Sequence, residues 1–152
     1  MKEGINRKRR VVKYWLPVFL GMAFIFLFST GFFSSDNTFR AEKKFLGFLI
    51  PDISTQEVVW INSFIRKAAH VFEYFILGLL LFRAFRGGSN SSFHWRWSLF
   101  ALTVVVVWAA GDEFHQFFVP TRSASPADVG IDTAGGMLAQ FASALWYVVK
   151  MK

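Results

Sequence analysis

The fold of this chain is decided by residues 66–85, RKAAHVFEYFILGLLLFRAF. From Ala68 onward the stretch is apolar and long enough to cross a bilayer as a helix, which takes about 17–25 residues. Its first turns nevertheless carry the polar side chains of Arg66, Lys67, His70, Glu73 and Tyr74. An isolated charge at the centre of a membrane helix costs about 2.5–3.5 kcal/mol on insertion scales, so such residues mark sites where partners and a role exist. The stretch therefore predicts a membrane helix that contributes to a polar site.

The composition extends this interpretation to the whole chain. Of 152 residues, 54% are hydrophobic, including 20 Phe and 6 Trp, which is more apolar than a soluble domain of this size requires. Four windows reach spanning length: residues 14–33, 68–85, 97–119 and 128–149. The sequence therefore predicts an all-α, polytopic membrane protein. Its four transmembrane helices form a small bundle over residues 14–149, preceded by a basic segment at residues 1–13.

The segment between the first two spans has a helical pattern of its own. Phe39, Phe45 and Leu49 recur at helical spacing against charged residues, which predicts a short amphipathic helix in the membrane interface. Pro51 is expected to end it. Ser54 and Glu57 then form a capping-box pattern, which predicts a second helix that runs without a break into the second span.

The distribution of charge predicts how the chain is oriented. Basic residues precede the first span, separate the second from the third and follow the fourth: Lys2, Arg7, Lys8, Arg9, Arg10, Lys13, Arg83, Arg86, Arg96, Lys150 and Lys152. The positive-inside rule places these segments, and therefore both termini, in the cytoplasm. Every acidic residue except Glu3 falls on the other half. The net charge of +7 is thus explained by topology and by attraction to anionic membrane lipids, and no nucleic-acid partner is predicted.

Two further polar stretches lie against the third and fourth spans. At a rise of 1.5 Å per residue, all three stretches reach a similar depth, about 6–12 Å below the outer surface. In lipid a polar stripe must face the bundle interior or a wet cavity, so the stripes are expected to face one another. The sequence predicts one outward-facing ligand site made of Lys67, His70, Glu73, Tyr74, Asp112, Glu113, Gln116, Arg122, Ser125, Asp128 and Asp132.

The order of these motifs resembles the VanZ-like family, small bacterial membrane proteins named for a teicoplanin-resistance component. The motifs are Lys67-x-x-His70-x-x-Glu73-Tyr74, Asp112-Glu113-x-His115-Gln116 and Pro120-x-Arg122-x-x-Ser125-x-x-Asp128, ahead of a Gly-rich last span. The resemblance extends from the first span to about Leu138. It implies a place in the bacterial cytoplasmic membrane and a link to the cell envelope and glycopeptide resistance. Asp132 departs from the Asn that is usual in the family, and Ala139 from a Gly.

Three roles for the predicted site follow from its chemistry. In the first, Lys67, Arg122 and Arg66 bind the phosphate or carboxylate of an envelope lipid, a lipid-linked cell-wall precursor or a glycopeptide target. In the second, the site is an intramembrane enzyme acting on such a substrate. The catalytic candidates are Glu73, Asp112 and Glu113 as acids or bases and His70 and His115 as proton shuttles. In the third, cations neutralise buried acids in a purely structural network.

Neither a metal nor a cofactor is predicted. His70, His115, Asp112, Glu113 and Asp128 are acceptable ligand types, but no pair of histidines has the tight spacing of a helical metal site. The chain also contains no cysteine, which excludes disulfides and thiolate ligands.

Overall fold

The computed structural model describes residues 2–30, 35–89, 93–119 and 124–150, with the side chains of all of these except residues 2–8, 35–38, 41 and 42. Within these ranges the chain forms five helices and no strand, which confirms the predicted all-α class. They are α1 (Lys2–Ser29), α2 (Ser35–Leu49), α3 (Thr55–Arg86), α4 (Trp95–Phe117) and α5 (Pro126–Lys150).

Three of these helices are long and apolar enough to cross a membrane: the Arg9–Ser29 part of α1, α3 and α4, with mean hydropathies of 2.0, 1.5 and 1.4. The helix α5, on which the fourth predicted span falls, is not one of them. Its polar residues are concentrated on the buried side, which carries Asp132, Gly135, Gly136, Ala139, Gln140 and Ser143. Large apolar side chains such as Met137 and Phe141 occupy its exposed side.

The helix α3 extends well beyond the predicted span at residues 68–85. A capping box begins it: the Ser54 side chain accepts a hydrogen bond from the backbone N–H of Glu57 at 3.2 Å, and the backbone N–H of Ser54 donates to Glu57 Oε2 at 2.8 Å. This confirms the predicted continuous helix. Gly87 ends it in the left-handed conformation, with φ at 57°. A helix of 32 residues is about 48 Å long, which exceeds the hydrocarbon thickness of a bilayer.

The bundle is organised around α3, which packs against all four other helices, most extensively against α5. The helix α4 packs against α1, α3 and α5. Two long-range hydrogen bonds define the two ends of the bundle. At one, here called the polar end, Ser29 at the end of α1 contacts Asp112 on α4. At the other, the basic end, Arg10 of α1 donates a hydrogen bond to the carbonyl oxygen of Gly87.

Small residues bring α3 and α5 into close contact. A Cβ atom built on Gly78 of α3 would lie 2.7 Å from the Cβ atom of Ala139, and one on Gly135 of α5 would collide with the backbone carbonyl of Val71. Gln140 adds a hydrogen bond across the interface, from its Nε2 to the carbonyl oxygen of Gly78 at 3.2 Å. Such close approach is typical of helix pairs in membranes, where packing replaces the hydrophobic effect as the driving force.

The amphipathic pattern predicted after the first span is a helix, α2, and it ends before Pro51 as expected. It packs against α3. Its apolar side is largely uncovered, since Phe45 is 63% and Phe48 83% exposed. Beside it, Trp60 and Phe64 on the first turns of α3 are equally exposed.

The contact between α5 and α3 generates a stability prediction. Gly135→Ala is expected to lower the free energy of unfolding by about 1–3 kcal/mol, because the new methyl group meets backbone atoms that cannot move aside. The control is Gly130→Ala on the same helix, where a Cβ meets nothing within 4 Å and the gain in helix propensity is about 0.5–1 kcal/mol. Thermal unfolding in detergent measures both. Equal effects of the two substitutions would contradict the packing described here.

Candidate functional site

A cavity of about 130 Å³ lies between α3, α4 and α5 at the polar end. It has room for several water molecules, each of which needs about 10–15 Å³. Its lining residues are Ser63, Arg66, Lys67, His70, Glu113, Gln116, Asp128, Ile131 and Asp132. Six of the predicted site residues therefore surround one space: Lys67, His70, Glu113, Gln116, Asp128 and Asp132.

The most buried polar group of the cavity is Asp132, which has no exposed surface. His70 Nδ1 lies 3.3 Å from its Oδ1, within the distance of an ion pair. The two groups are not aligned as a hydrogen bond, and neither carboxylate oxygen of Asp132 has a hydrogen-bond partner among the described residues. A buried carboxylate is costly without compensating contacts, and the contact with His70 is the ion pair that Asp132 makes among the described residues.

The two cations of the cavity lie on α3. Within the described ranges, neither Arg66 nor Lys67 forms an ion pair with a carboxylate. The carboxylates of Glu113, Asp128 and Asp132 line the same cavity from α4 and α5. Charges of opposite sign thus line different walls of one space instead of neutralising each other in direct contact.

Glu113 also fixes the start of α5. Its Oε2 accepts the backbone N–H of Ser125 at 2.8 Å, and its side chain is 6% exposed. The Ser125 hydroxyl in turn accepts the backbone N–H of Ala127 at 3.2 Å. The main chain of Ser125 therefore contacts Glu113, and its side chain caps α5. That side chain was predicted to bind ligand.

Asp112 belongs to a second polar cluster, between α4 and α1. Ser29 Oγ donates to Asp112 Oδ2 at 2.6 Å, and Gln116 Nε2 donates to the same oxygen at 3.1 Å and to Ser29 Oγ at 3.2 Å. All three residues are buried. Gln116 also lines the cavity, so it connects the two groups. Asp112 itself points towards α1.

The other predicted residues that the structure describes lie around the cavity without lining it. Tyr74 has no exposed surface and belongs to the hydrophobic core. His115 packs against Phe26 of α1, with ring centroids 4.6 Å apart. Glu73 is half-buried on α3 and takes part in other interactions. Arg122, together with Pro120 of the same motif, lies outside the described residues.

Three residues of these clusters were not predicted. Ser63 lies four residues before Lys67 and seven before His70, so the helical stripe would have included it had it been extended by one turn. Ser29 follows Val18 and Ile25 on the buried stripe of α1, and its position at the depth of the acids was the available signal. Ile131 is apolar, and nothing in the sequence distinguishes it from the apolar residues that pack in the core.

The described part of the chain contains no group of three or more His, Asp or Glu residues arranged to hold a metal ion. The side chains of the cavity supply two cations, an imidazole beside a carboxylate, and two further carboxylates.

A bundle of long apolar helices that encloses a polar cavity defines a small polytopic membrane protein. A family model described as VanZ/LLP1 matches residues 14–147, and the chain belongs to this family. The predicted resemblance is thereby confirmed over most of the chain. No curated protein and no solved structure matches it.

The cluster between α1 and α4 generates a second prediction. Ser29→Ala is expected to lower the free energy of unfolding by about 1–3 kcal/mol, because it removes the short hydrogen bond to a buried carboxylate. In an Asp112→Ala background the same substitution is expected to cost much less. Ser98→Ala is the control, since the buried Ser98 hydroxyl has no hydrogen-bond partner in the described chain. Thermal unfolding in detergent is the measurement, and equal losses for Ser29→Ala and Ser98→Ala would refute the assignment.

Proposed function

We propose that this VanZ/LLP1-family membrane protein crosses the bacterial cytoplasmic membrane four times, with α5 as the fourth span. The support for a fourth span is that α5 has a polar side and an apolar side. Its polar and small residues are buried against α3 and α4, while Leu138, Phe141 and Leu145 face outward with more than half of their surface exposed. Such a helix suits lipid on one side and a polar bundle interior on the other.

In the proposed orientation both termini are cytoplasmic and the cavity opens outward. The support is the charge of the two ends. The basic end gathers Arg10, Arg83 and Arg86, as expected of a cytoplasmic surface. The polar end carries the carboxylates. We place α2 in the outer interface, where the exposed Phe45 and Phe48 would enter the lipid and the neighbouring lysines would face the headgroups.

The cavity is proposed to bind an anionic molecule of the cell envelope. The observation that carries this proposal is that Arg66 and Lys67 line the cavity without an ion pair to any described carboxylate. Arg66 is half-buried and Lys67 is exposed, whereas a purely structural network would be expected to bring such cations into contact with the carboxylates that they neutralise. An anionic ligand supplies the missing partner, and the planar Arg66 guanidinium is suited to bidentate contact with phosphate or carboxylate.

The carboxylates on the walls formed by α4 and α5 restrict the class of ligand further. Glu113, Asp128 and Asp132 accept hydrogen bonds and favour donors or positive charge. A space of about 130 Å³ admits only part of a headgroup, and an anionic group next to a hydroxyl or amine satisfies both walls. A lipid-linked cell-wall precursor has this chemistry. By binding or shielding such a molecule, the protein would lower the susceptibility of the cell to glycopeptides.

A second candidate is an enzyme that acts on the same ligand. The observation that favours it is the proximity of His70 to the fully buried Asp132, since a carboxylate beside an imidazole orients it for proton transfer. Of the five predicted catalytic residues, His70 and Glu113 line the cavity, whereas Asp112, His115 and Glu73 do not. Acid–base chemistry in this cavity would therefore depend on His70, Asp132 and Glu113.

Native mass spectrometry of the protein, in nanodiscs doped with a polyprenyl-phosphate-linked wall precursor, tests the proposal. Wild type is expected to retain the precursor, and Lys67→Ala to lose about tenfold or more of this retention, the effect of removing one charge-assisted contact. The matched control is Lys44→Ala, which removes the same charge from an exposed position on α2 outside the cavity. Cells that express Lys67→Ala are expected to be more susceptible to teicoplanin than cells that express Lys44→Ala.

The outcomes separate the three roles. Equal retention by both variants overturns binding in the cavity. Conversion of the precursor during incubation, abolished by His70→Gln in a folded protein, assigns catalysis. If Lys67→Ala lowers the unfolding temperature and wild type retains no precursor, the charges are a structural network.

A further inference from the structure

A second opening lies at the basic end, on the other half of the interface between α3 and α5. This groove has a volume of about 350 Å³, within the range of roughly 300–1,000 Å³ that is typical of ligand sites. Its wall is mostly apolar, formed by Leu79, Phe82, Ala142, Ser143, Trp146 and Tyr147. Arg83 and Arg86 complete the lining and stand three residues apart on α3, so they share one face of the helix.

Aromatic rings hold both guanidinium groups in place. Arg83 lies 5.3 Å from the centroid of the Tyr14 ring on α1, and Arg86 lies 5.0 Å from the centroid of the Tyr147 ring on α5. These distances are those of cation–π contacts, which orient a guanidinium and leave its N–H groups available. The Nε of Arg86 is buried and has no hydrogen-bond partner in the described parts of the chain. A buried donor of this kind requires an acceptor.

The protein itself offers the two arginines little negative charge. Neither residues 74–111 nor residues 133–152 contain Asp or Glu, so α5 beyond Asp132 and the chain from Tyr74 to Gly111 are free of acids. On α1 the only acidic residue is Glu3. The groove therefore combines two oriented cations at one end with an apolar wall along the rest of its length.

We propose that this groove binds one anionic phospholipid. Arg83 and Arg86 hold its phosphate, and one acyl chain lies along Leu79, Phe82 and Ala142. A free inorganic anion would leave the apolar wall uncovered, whereas a phospholipid satisfies both parts of the groove. Trp146, which lines the groove and is 68% exposed, lies where an indole ring meets the headgroup level. Basic pockets between membrane helices are suited to this class of ligand.

The site is distinct from the polar cavity in position and in chemistry. Its α3 residues lie nearer the C-terminal end of that helix, nine or more positions after His70, and it has no carboxylate on its wall. The groove lies in the α3–α5 interface beyond the contact of Gly78 with Ala139, on the side away from Gly135. The proposal therefore stands whether or not the polar cavity binds a wall precursor.

Native mass spectrometry of the full chain, released from nanodiscs of equal phosphatidylglycerol and phosphatidylcholine, tests the site. Wild type is expected to retain phosphatidylglycerol selectively. Arg86→Gln is expected to lose about tenfold or more of that selectivity, as removal of one charge-assisted hydrogen bond predicts. Arg96→Gln is the matched control, because Arg96 is exposed on α4, stacks on Trp95 and does not line the groove.

A second variant tests the acyl chain without changing the arginines. Ala142→Phe fills the groove and is expected to reduce retention by a similar factor, and it decides the question if Arg86→Gln fails to fold. Unchanged selectivity in Ala142→Phe, or in a folded Arg86→Gln protein, overturns the proposal. Displacement of phosphatidylglycerol by millimolar inorganic phosphate also overturns it, because the site would then recognise the anion alone.

Discussion

The arrangement depends on one constraint: a carboxylate buried among apolar helices must lie where another polar group or a ligand can reach it. Asp132 has no exposed surface, and Nδ1 of His70 on α3 lies 3.3 Å from its Oδ1. This proximity exists because Gly135, one turn further along α5, allows its backbone to touch the carbonyl of Val71. A larger residue at that point would separate the helices and remove both the contact and the cavity. The small-residue interface is therefore also the element that creates the site.

Much of the fold could be predicted because its signals are local. Apolar length located α1, α3 and α4, and the Ser54–Glu57 pair located the start of α3 within one residue. The convergence of the polar stripes followed from depth and helical periodicity, which place Lys67, His70 and Asp132 at one level.

Other features depend on how the helices rotate against one another, which periodicity alone does not specify. Asp112 and Asp132 have similar depth, yet Asp112 faces Ser29 on α1 while Asp132 faces the cavity. The polar residues of α4 cover a wide sector of the helix surface. Some of them therefore face α1, and others face the cavity. For the same reason His115 packs on Phe26 instead of entering the site. The helix α5 falls short of the hydropathy criterion because it carries polar residues on the side that is buried in the bundle.

The central claim is that side chains from separate helices enclose a single cavity open to the cell exterior. The chain has no native cysteine, so Lys67→Cys combined with Asp128→Cys gives a protein with two thiols on opposite walls of the cavity. Intact cells are treated with a short, membrane-impermeant bifunctional maleimide. This treatment tests whether the two thiols lie close together and whether both can be reached from outside the cell. The account predicts an intramolecular crosslink in intact cells. A crosslink that forms only in inverted vesicles, or in neither preparation, would contradict it.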